Sequence, residues 1–312
     1  MQRLNRWLTA AIVMAGVPVD AQAATANGHV ETGVVYDSNL NVDELDQASG
    51  KDDQALLVGA GAEASGQPLE NLTLTGTYDF TARDYASNDA FDQMIHLASV
   101  DLSYDINSVT LGASHYYSHA TLDSESFLDY NRTSAYLGKL IDDDVYVMVS
   151  LLSKRKSFDH DDARDARTRG VSLDNFFFFN QHQTLLVIGL DGDHQDATSD
   201  AYDYRMLAGR ARFKHHVGLA GHDSTFQIGV RYESRDYDEP VSSVEDPILP
   251  LAGTTPSRTR SDDILTADIR WRVGLTEWLS TEAKLERTNY RSTLNSADYD
   301  KTVASLTMRA DF

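Results

Sequence analysis

No cysteine occurs among the 312 residues, which excludes disulfide frameworks and thiolate metal centres and suits an oxidising envelope compartment. Proline is scarce as well: there are six, and four of them, Pro240, Pro247, Pro250 and Pro256, fall in one stretch. Positive charge is short, with 27 Lys and Arg against 48 Asp and Glu and a formal net charge of -21, so nucleic acid is not a partner this surface would attract. Past the first two dozen residues no run reaches the roughly 18 apolar residues that a membrane-spanning helix needs. The mean hydropathy is -0.39, too polar for a helical membrane protein. A transmembrane β-barrel is not excluded by that figure, because only every second residue of its strands faces lipid.

The N-terminus is basic and then apolar: Arg3 and Arg6 precede a hydrophobic run from Trp7 to Val19, and Ala21-Gln22-Ala23 offers the small-x-small pattern of a signal-peptidase site. Residues 1–23 are therefore expected to be a signal peptide and residues 24–312 the mature domain. In that domain polarity alternates with a period of two in fourteen segments, at 29–37, 54–65, 70–84, 93–105, 107–118, 127–139, 143–156, 166–179, 183–193, 202–215, 224–236, 260–273, 277–290 and 299–312. Short connections alternate with long ones, the long set being 38–53, 86–92, 120–126, 159–165, 194–200, 236–260 and 291–298. An even strand count with that alternation predicts an all-β fold, a transmembrane antiparallel up-and-down β-barrel of about 14 strands with its short turns in the periplasm.

The face assignment follows residue by residue. In the twelfth segment Leu265, Ala267, Ile269, Trp271 and Val273 oppose Thr266, Asp268, Arg270 and Arg272, and charges of both signs on the polar face point to a water-filled interior. Arg210, Arg212, Asp268, Arg270, Arg272, Glu282, Lys284, Glu286 and Arg309 are predicted to line that lumen, the four arginines from 210 to 272 forming a basic strip. Cross-strand ion pairing is the competing account of the same residues. Aromatics such as Tyr36, Tyr104, Phe179, Phe213 and Trp271 collect at strand ends, where membrane interfaces favour them. The run Phe176-Phe177-Phe178-Phe179 puts rings on both faces and leaves a plugged or narrow lumen open as an alternative.

The last segment ends Leu306, Met308, Ala310, Phe312 on its apolar face. It resembles the C-terminal strand of bacterial outer-membrane proteins, and the resemblance implies that Met308, Ala310 and Phe312 form the signal read by the barrel-assembly machinery. The opening strand carries Gly33, Tyr36, Asp37, Ser38 and Asn39 in a G-x-x-Y-D-S-N run. That run resembles the first barrel strand of the surface lipoprotein assembly modifier family, and porin-like proteins of exopolysaccharide export loci open similarly. Similarity to the modifiers implies a fourteen-stranded barrel over residues 29–312 that passes lipoproteins to the cell surface. Their periplasmic repeats have no counterpart here, so a separate periplasmic partner would be required.

Catalytic signatures are missing: there is no G-x-S-x-G elbow and no H-E-x-x-H pair, and His215-His216 would send its rings to opposite faces of a strand. Acidic loop residues such as Asp159, Asp161 and Asp162 read as a solvated rim rather than a calcium loop. No enzymatic activity, cofactor or metal site is expected. The expected function is a channel for a polar solute or polymer with some cation preference, and the expected surroundings are outer-membrane lipid and lipopolysaccharide. A structural barrel with a plugged lumen is the other reading, and the proline-rich segment 239–259 is a candidate to fold inward as a constriction.

Overall fold

The computed structural model describes residues 22–41, 49–142, 144–219, 221–240 and 259–312. They form fourteen antiparallel strands: β1 (Gln22–Asp37), β2 (Asp53–Leu69), β3 (Leu72–Tyr85), β4 (Gln93–Ile106), β5 (Val109–Leu122), β6 (Glu125–Ile141), β7 (Val145–Phe158), β8 (Ala166–Phe179), β9 (Thr184–Ala197), β10 (Tyr204–Leu219), β11 (His222–Pro240), β12 (Thr259–Gly274), β13 (Leu279–Ser292) and β14 (Tyr299–Asp311). Each strand pairs with its neighbours in sequence, and β1 pairs with β14, closing the barrel. The expected leader falls mostly outside the described residues, as does nearly all of the proline-rich segment.

Closure is set by register. His29 lies opposite Asp311, Thr32 opposite Met308 and Tyr36 opposite Ala304. The seam is finished by reciprocal backbone bonds between Gly28 and Phe312, at 2.8 and 2.9 Å. Because a strand's side-chain period is two, one register choice at the seam sorts every residue to one face or the other. Val34, Leu56, Leu151, Leu190, Leu207, Leu285, Leu306 and Met308 are exposed on the outside. No water-soluble sheet leaves so much aliphatic surface uncovered, whereas hydrocarbon makes it stable. The chain is an outer-membrane barrel, and the end bearing both termini and the tight turns faces the periplasm.

The phenylalanine run obeys the alternation. The outward face of β8 continues through Val171 into Phe177 and Phe179, and Phe179 is 48% exposed. Phe176 and Phe178 point inward near the periplasmic turn, Phe176 against Tyr146 at 5.8 Å and Phe178 against His182 at 5.2 Å between ring centroids. Both faces are thus aromatic there, with rings of opposite assignment.

One connection differs from expectation. Residues 120–126 are not a long loop: β5 and β6 continue to Leu122 and Glu125 and turn through Asp123 and Ser124, both at positive φ, 50° and 67°. Two residues at positive φ are what a tight hairpin with native twist requires. Four of the other outer connections share a device that the sequence shows only in hindsight. Residues Asp89–Phe91, Asp162–Arg164, Asp200–Tyr202 and Asn295–Ala297 each form one 3₁₀ turn, followed at once by an aspartate. That aspartate reaches back to the end of the preceding strand: Tyr85 N–H donates to Asp92 at 2.7 Å, Phe158 N–H to Asp165 at 2.7 Å and Ala197 N–H to Asp203 at 2.6 Å. Asp298 accepts from Ser292 N–H at 3.4 Å, the loosest of the four. Burial raises the Asp92 carboxyl above its ordinary value. Replacing Asp165 by Ala is expected to free the Phe158 amide and cost about 1–2 kcal/mol locally, seen as faster hydrogen exchange in 157–165 with the barrel otherwise unchanged.

Candidate functional site: the lumen and its outer mouth

Every predicted lumen residue sits on the inward face by register. What the sequence does not show is how thoroughly those charges are paired. Arg210 on β10 bonds Asp191 on β9 and, with Nη2 at 2.5 Å, Asp174 on β8. It lies flat over Gly189, where an added Cβ would collide with its guanidinium. Asp191 also receives Arg231 at 2.8 Å, Arg231 holds Glu233 at 2.8 Å, and Glu233 holds Arg235 at 2.6 Å. Lys154 reaches Asp193 at 2.5 Å, skipping β8. Elsewhere Arg270 faces Asp268 at 3.4 Å, Arg272 meets Glu282 at 2.9 Å, Lys284 meets Glu286 at 2.8 Å and Arg309 meets Asp311 at 2.7 Å. Of the four arginines in the expected basic strip, three are therefore tied to carboxylates of the same face. Arg212 alone among them makes no ion pair and stands exposed in the lumen.

Among the described residues, most of the remaining unpaired charges are divided between walls, with Arg83 of β3 a cation on the acidic side. Glu31, Glu63 and Asp101 lie on β1, β2 and β4 without a Lys or Arg partner, while Arg132, Arg212 and Lys214 lie on β6 and β10 without a carboxylate. Arg132 rests over the Tyr116 ring at 5.9 Å. In a narrow aqueous space such a division sets up a field across the pore rather than along it.

The outer mouth is narrowed by the first outer loop, an element that sequence reasoning passed over in favour of 239–259. Asp37, at the end of β1, is 1% exposed and accepts the Asn39 amide at 3.0 Å, which turns the chain inward. Asn39 Oδ1 then accepts the amides of Ser49 and Gly50 at 3.2 and 3.0 Å, pinning the returning limb. Leu40, 1% exposed, packs on the inner side of Ala55 and Tyr85 with Phe91 alongside. Beyond it Lys301 of β14 reaches Asp37 at 3.1 Å and Asn41 Oδ1 at 2.5 Å.

Arg83 and Lys301 both line two separate cavities of about 300 Å³ each. One is bounded by Asn41 and by Ile95, Ser118 and Tyr130 of β4–β6, the other by Arg231, Glu233, Lys284 and Tyr290 of β11 and β13. Among the described residues, Arg83 and Lys301 thus stand between the two cavities at the mouth, with Asn41 of the hook beside the first.

At this mouth the rim is locked by a buried ion pair. Arg260 and Asp262 are 4% and 0% exposed and meet through Nε–Oδ1 at 3.0 Å and Nη2–Oδ2 at 2.5 Å. Tyr290 donates to Asp262 at 2.7 Å, Ser292 donates at 2.5 Å, and the Arg260 guanidinium stacks on Tyr237 at 4.3 Å. Among the described residues no group of three or more His, Asp and Glu side chains is placed to hold a metal ion.

The residues of the opening motif are accounted for by the same mouth. Tyr36 faces lipid, 39% exposed, and Asp37 and Asn39 build the hook. Ser38 Oγ accepts the Thr302 amide at 2.8 Å, while at Gly33 an added Cβ would strike the Leu306 carbonyl. Met308 and Ala310 lie on the lipid face of β14, and Phe312 covers Gly28 at the periplasmic end of the seam.

Among known proteins, no family model matches the chain, and no curated protein matches it either. Solved structures do match. Outer-membrane expressed OmpT of Vibrio cholerae aligns with 93% of this chain and 97% of its own, at 9% identity and a TM-score of 0.53. Its loop L8 deletion mutant aligns with 93% and 100%, at 10% identity and a TM-score of 0.52. The likeness shows the fold, a closed outer-membrane β-barrel. It corrects the resemblance to the surface lipoprotein assembly modifiers: the structures matched are of OmpT, an outer-membrane protein of Vibrio cholerae, and the motif that suggested otherwise is a strand-to-loop junction that narrows the barrel mouth.

Proposed function

We propose that this protein is a passive pore for small polar solutes, carrying out no chemistry of its own. The observation that carries the reading is at the mouth, where Arg83 and Lys301 stand between two cavities of about 300 Å³ each and charged side chains line both. Polar, charge-lined spaces at the mouth suit hydrated ions and small polar molecules. The paired charges along β7–β13 stiffen the wall, and the unpaired acidic and basic residues give a dipolar solute a favoured orientation as it passes. Inward charges of both signs are closely matched in the lumen, so the acidic excess of the whole chain acts at the entrances and favours cations only weakly.

Single-channel recording of the refolded mature protein in a planar bilayer tests this. The expected result is small ohmic steps with a reversal potential displaced modestly toward that of the cation in a salt gradient. Anion preference would refute the selectivity. A folded, heat-modifiable barrel that stays electrically silent would refute the pore itself and support a structural barrel, the reading favoured by the inward Phe176 and Phe178 rings near the periplasmic turn.

A further inference from the structure

The lipid-facing side of β7–β10 carries a cationic patch whose arginines make no ion pair among the described residues. Arg155 of β7 lies directly opposite Arg167 of β8. One row nearer the membrane, Arg169 lies opposite His194 of β9, and His194 lies opposite Arg205 of β10. All five side chains are exposed, and they alternate with the buried Ala166, Thr168 and Gln195 of the inner face. Like charges directly opposed on adjacent strands repel at about 5 Å, and the arrangement costs stability unless something neutralises it.

Elsewhere on its outer face the protein supplies the neutralising group itself. Arg287 reaches Asp300 at 3.0 Å, and Arg291 reaches Asp300 at 2.8 Å and Asp298 at 3.4 Å. For Arg155, Arg167, Arg169 and Arg205 no carboxylate among the described residues comes within ion-pair distance. Asp196 lies opposite Arg167 and Asp236 opposite Arg205, and neither closes on its arginine.

The patch borders a cleft. A cavity of about 290 Å³ is lined by Arg155 and Arg167 with Asp165, Asp196 and Thr198. The Asp165 carboxylate is engaged by Ser157 and by the Phe158 amide. Depth identifies what the cleft faces. On β8 the outward face runs through Phe179, Phe177, Asn175, Leu173 and Val171, apolar but for Asn175, and its eight residue steps at about 3.3 Å rise and about 40° tilt span roughly 20 Å of membrane thickness. Arg169 and Arg167 follow immediately, at the level of the headgroups of the external leaflet.

We propose that Arg155, Arg167, Arg169 and Arg205 form a binding site for the phosphate groups of a phosphorylated glycolipid of the outer leaflet. The acyl chains lie below on Leu151, Val171, Leu190 and Leu207. Guanidinium pairs suit phosphate because each presents parallel N–H donors to two oxygens. A soluble phosphate would find the same donors but not the apolar wall beneath them, so the lipid is the occupant. The assignment stands on the outer-membrane location and not on whether the lumen conducts.

The test uses the full mature barrel in detergent, with bis-phosphorylated lipid A, dephosphorylated lipid A and inorganic pyrophosphate as probes and native mass spectrometry as the readout. Wild-type protein should retain bis-phosphorylated lipid A and bind the dephosphorylated form about tenfold or more weakly. The double variant Arg155→Ser/Arg167→Ser should lose the same factor. Arg169→Ser/Arg205→Ser is the independent second pair, and Arg287→Ser, a paired outward arginine, should leave retention unchanged. Equal retention by wild type and both double variants, or equal retention of lipid A with and without phosphate, would overturn the site. Pyrophosphate binding as tightly as lipid A would overturn the lipid as its occupant.

Discussion

Replacing residues 39–51 by a two-residue turn is expected to raise single-channel conductance about twofold or more and to remove most of any asymmetry in the current–voltage curve. The hook is the one described segment outside the strands that both lines a lumen cavity and buries an apolar side chain against the inner wall, through Asn41 and Leu40. Taking it away widens the first of the two cavities that Arg83 and Lys301 share. The point variant Lys301→Ser keeps the loop but unties it from Asp37 and Asn41, and should leave mean conductance near wild type while adding fast flicker as the hook swings. Unchanged conductance after removal of the loop would place the limiting cross-section elsewhere, with Phe176 and Phe178 at the periplasmic end the next segment to alter.

The second large effect concerns stability. Asp262→Ala strips a fully buried Arg260 of its bidentate carboxylate and deprives Tyr290 and Ser292 of the acceptor they share. Breaking a buried pair by deleting one partner costs about 3–5 kcal/mol. The expected outcome is a clear fall in the temperature at which the folded band converts to the unfolded one in a heat-modifiability gel. Asp262→Asn keeps the shape and two acceptor sites and should recover part of the loss. If both variants melt like wild type, the cluster is not what holds that side of the rim.

Fold was legible because it rests on a local rule. Period-two polarity needs no knowledge of partners, and fourteen segments with an aromatic final residue leave few alternatives to closure. Pairing was less legible, because it depends on how far each strand is offset from the next. Arg210 and Asp174 stand two strands apart, and nothing along the sequence marks them as neighbours. Hence the inward residues were nameable while the neutralisation of the basic strip was not. The tight turn at Asp123-Ser124 was missed because it lacks the Asn-Gly or Asp-Gly signature. The Asp-Ala-x-Asp runs at 89–92, 162–165 and 200–203 were visible as text, yet their meaning depends on a hydrogen bond back across the loop. Asn39-Leu40-Asn41 held a signal that was passed over, since a leucine between two asparagines directly after a strand invites an inward turn, while the proline-rich segment expected to fold inward lies almost wholly outside the described residues.

The seam between β1 and β14 has a consequence in time. Its partners, such as His29 and Asp311, stand at opposite ends of the chain, so the first strand must wait for the last to be made and exported before either edge is paired. Throughout that interval the chain carries two open strand edges and a lipid-seeking surface through water, the state most prone to misassociate with other chains. For a protein built this way the danger of misassembly lies in the interval before the seam closes and not in the finished barrel.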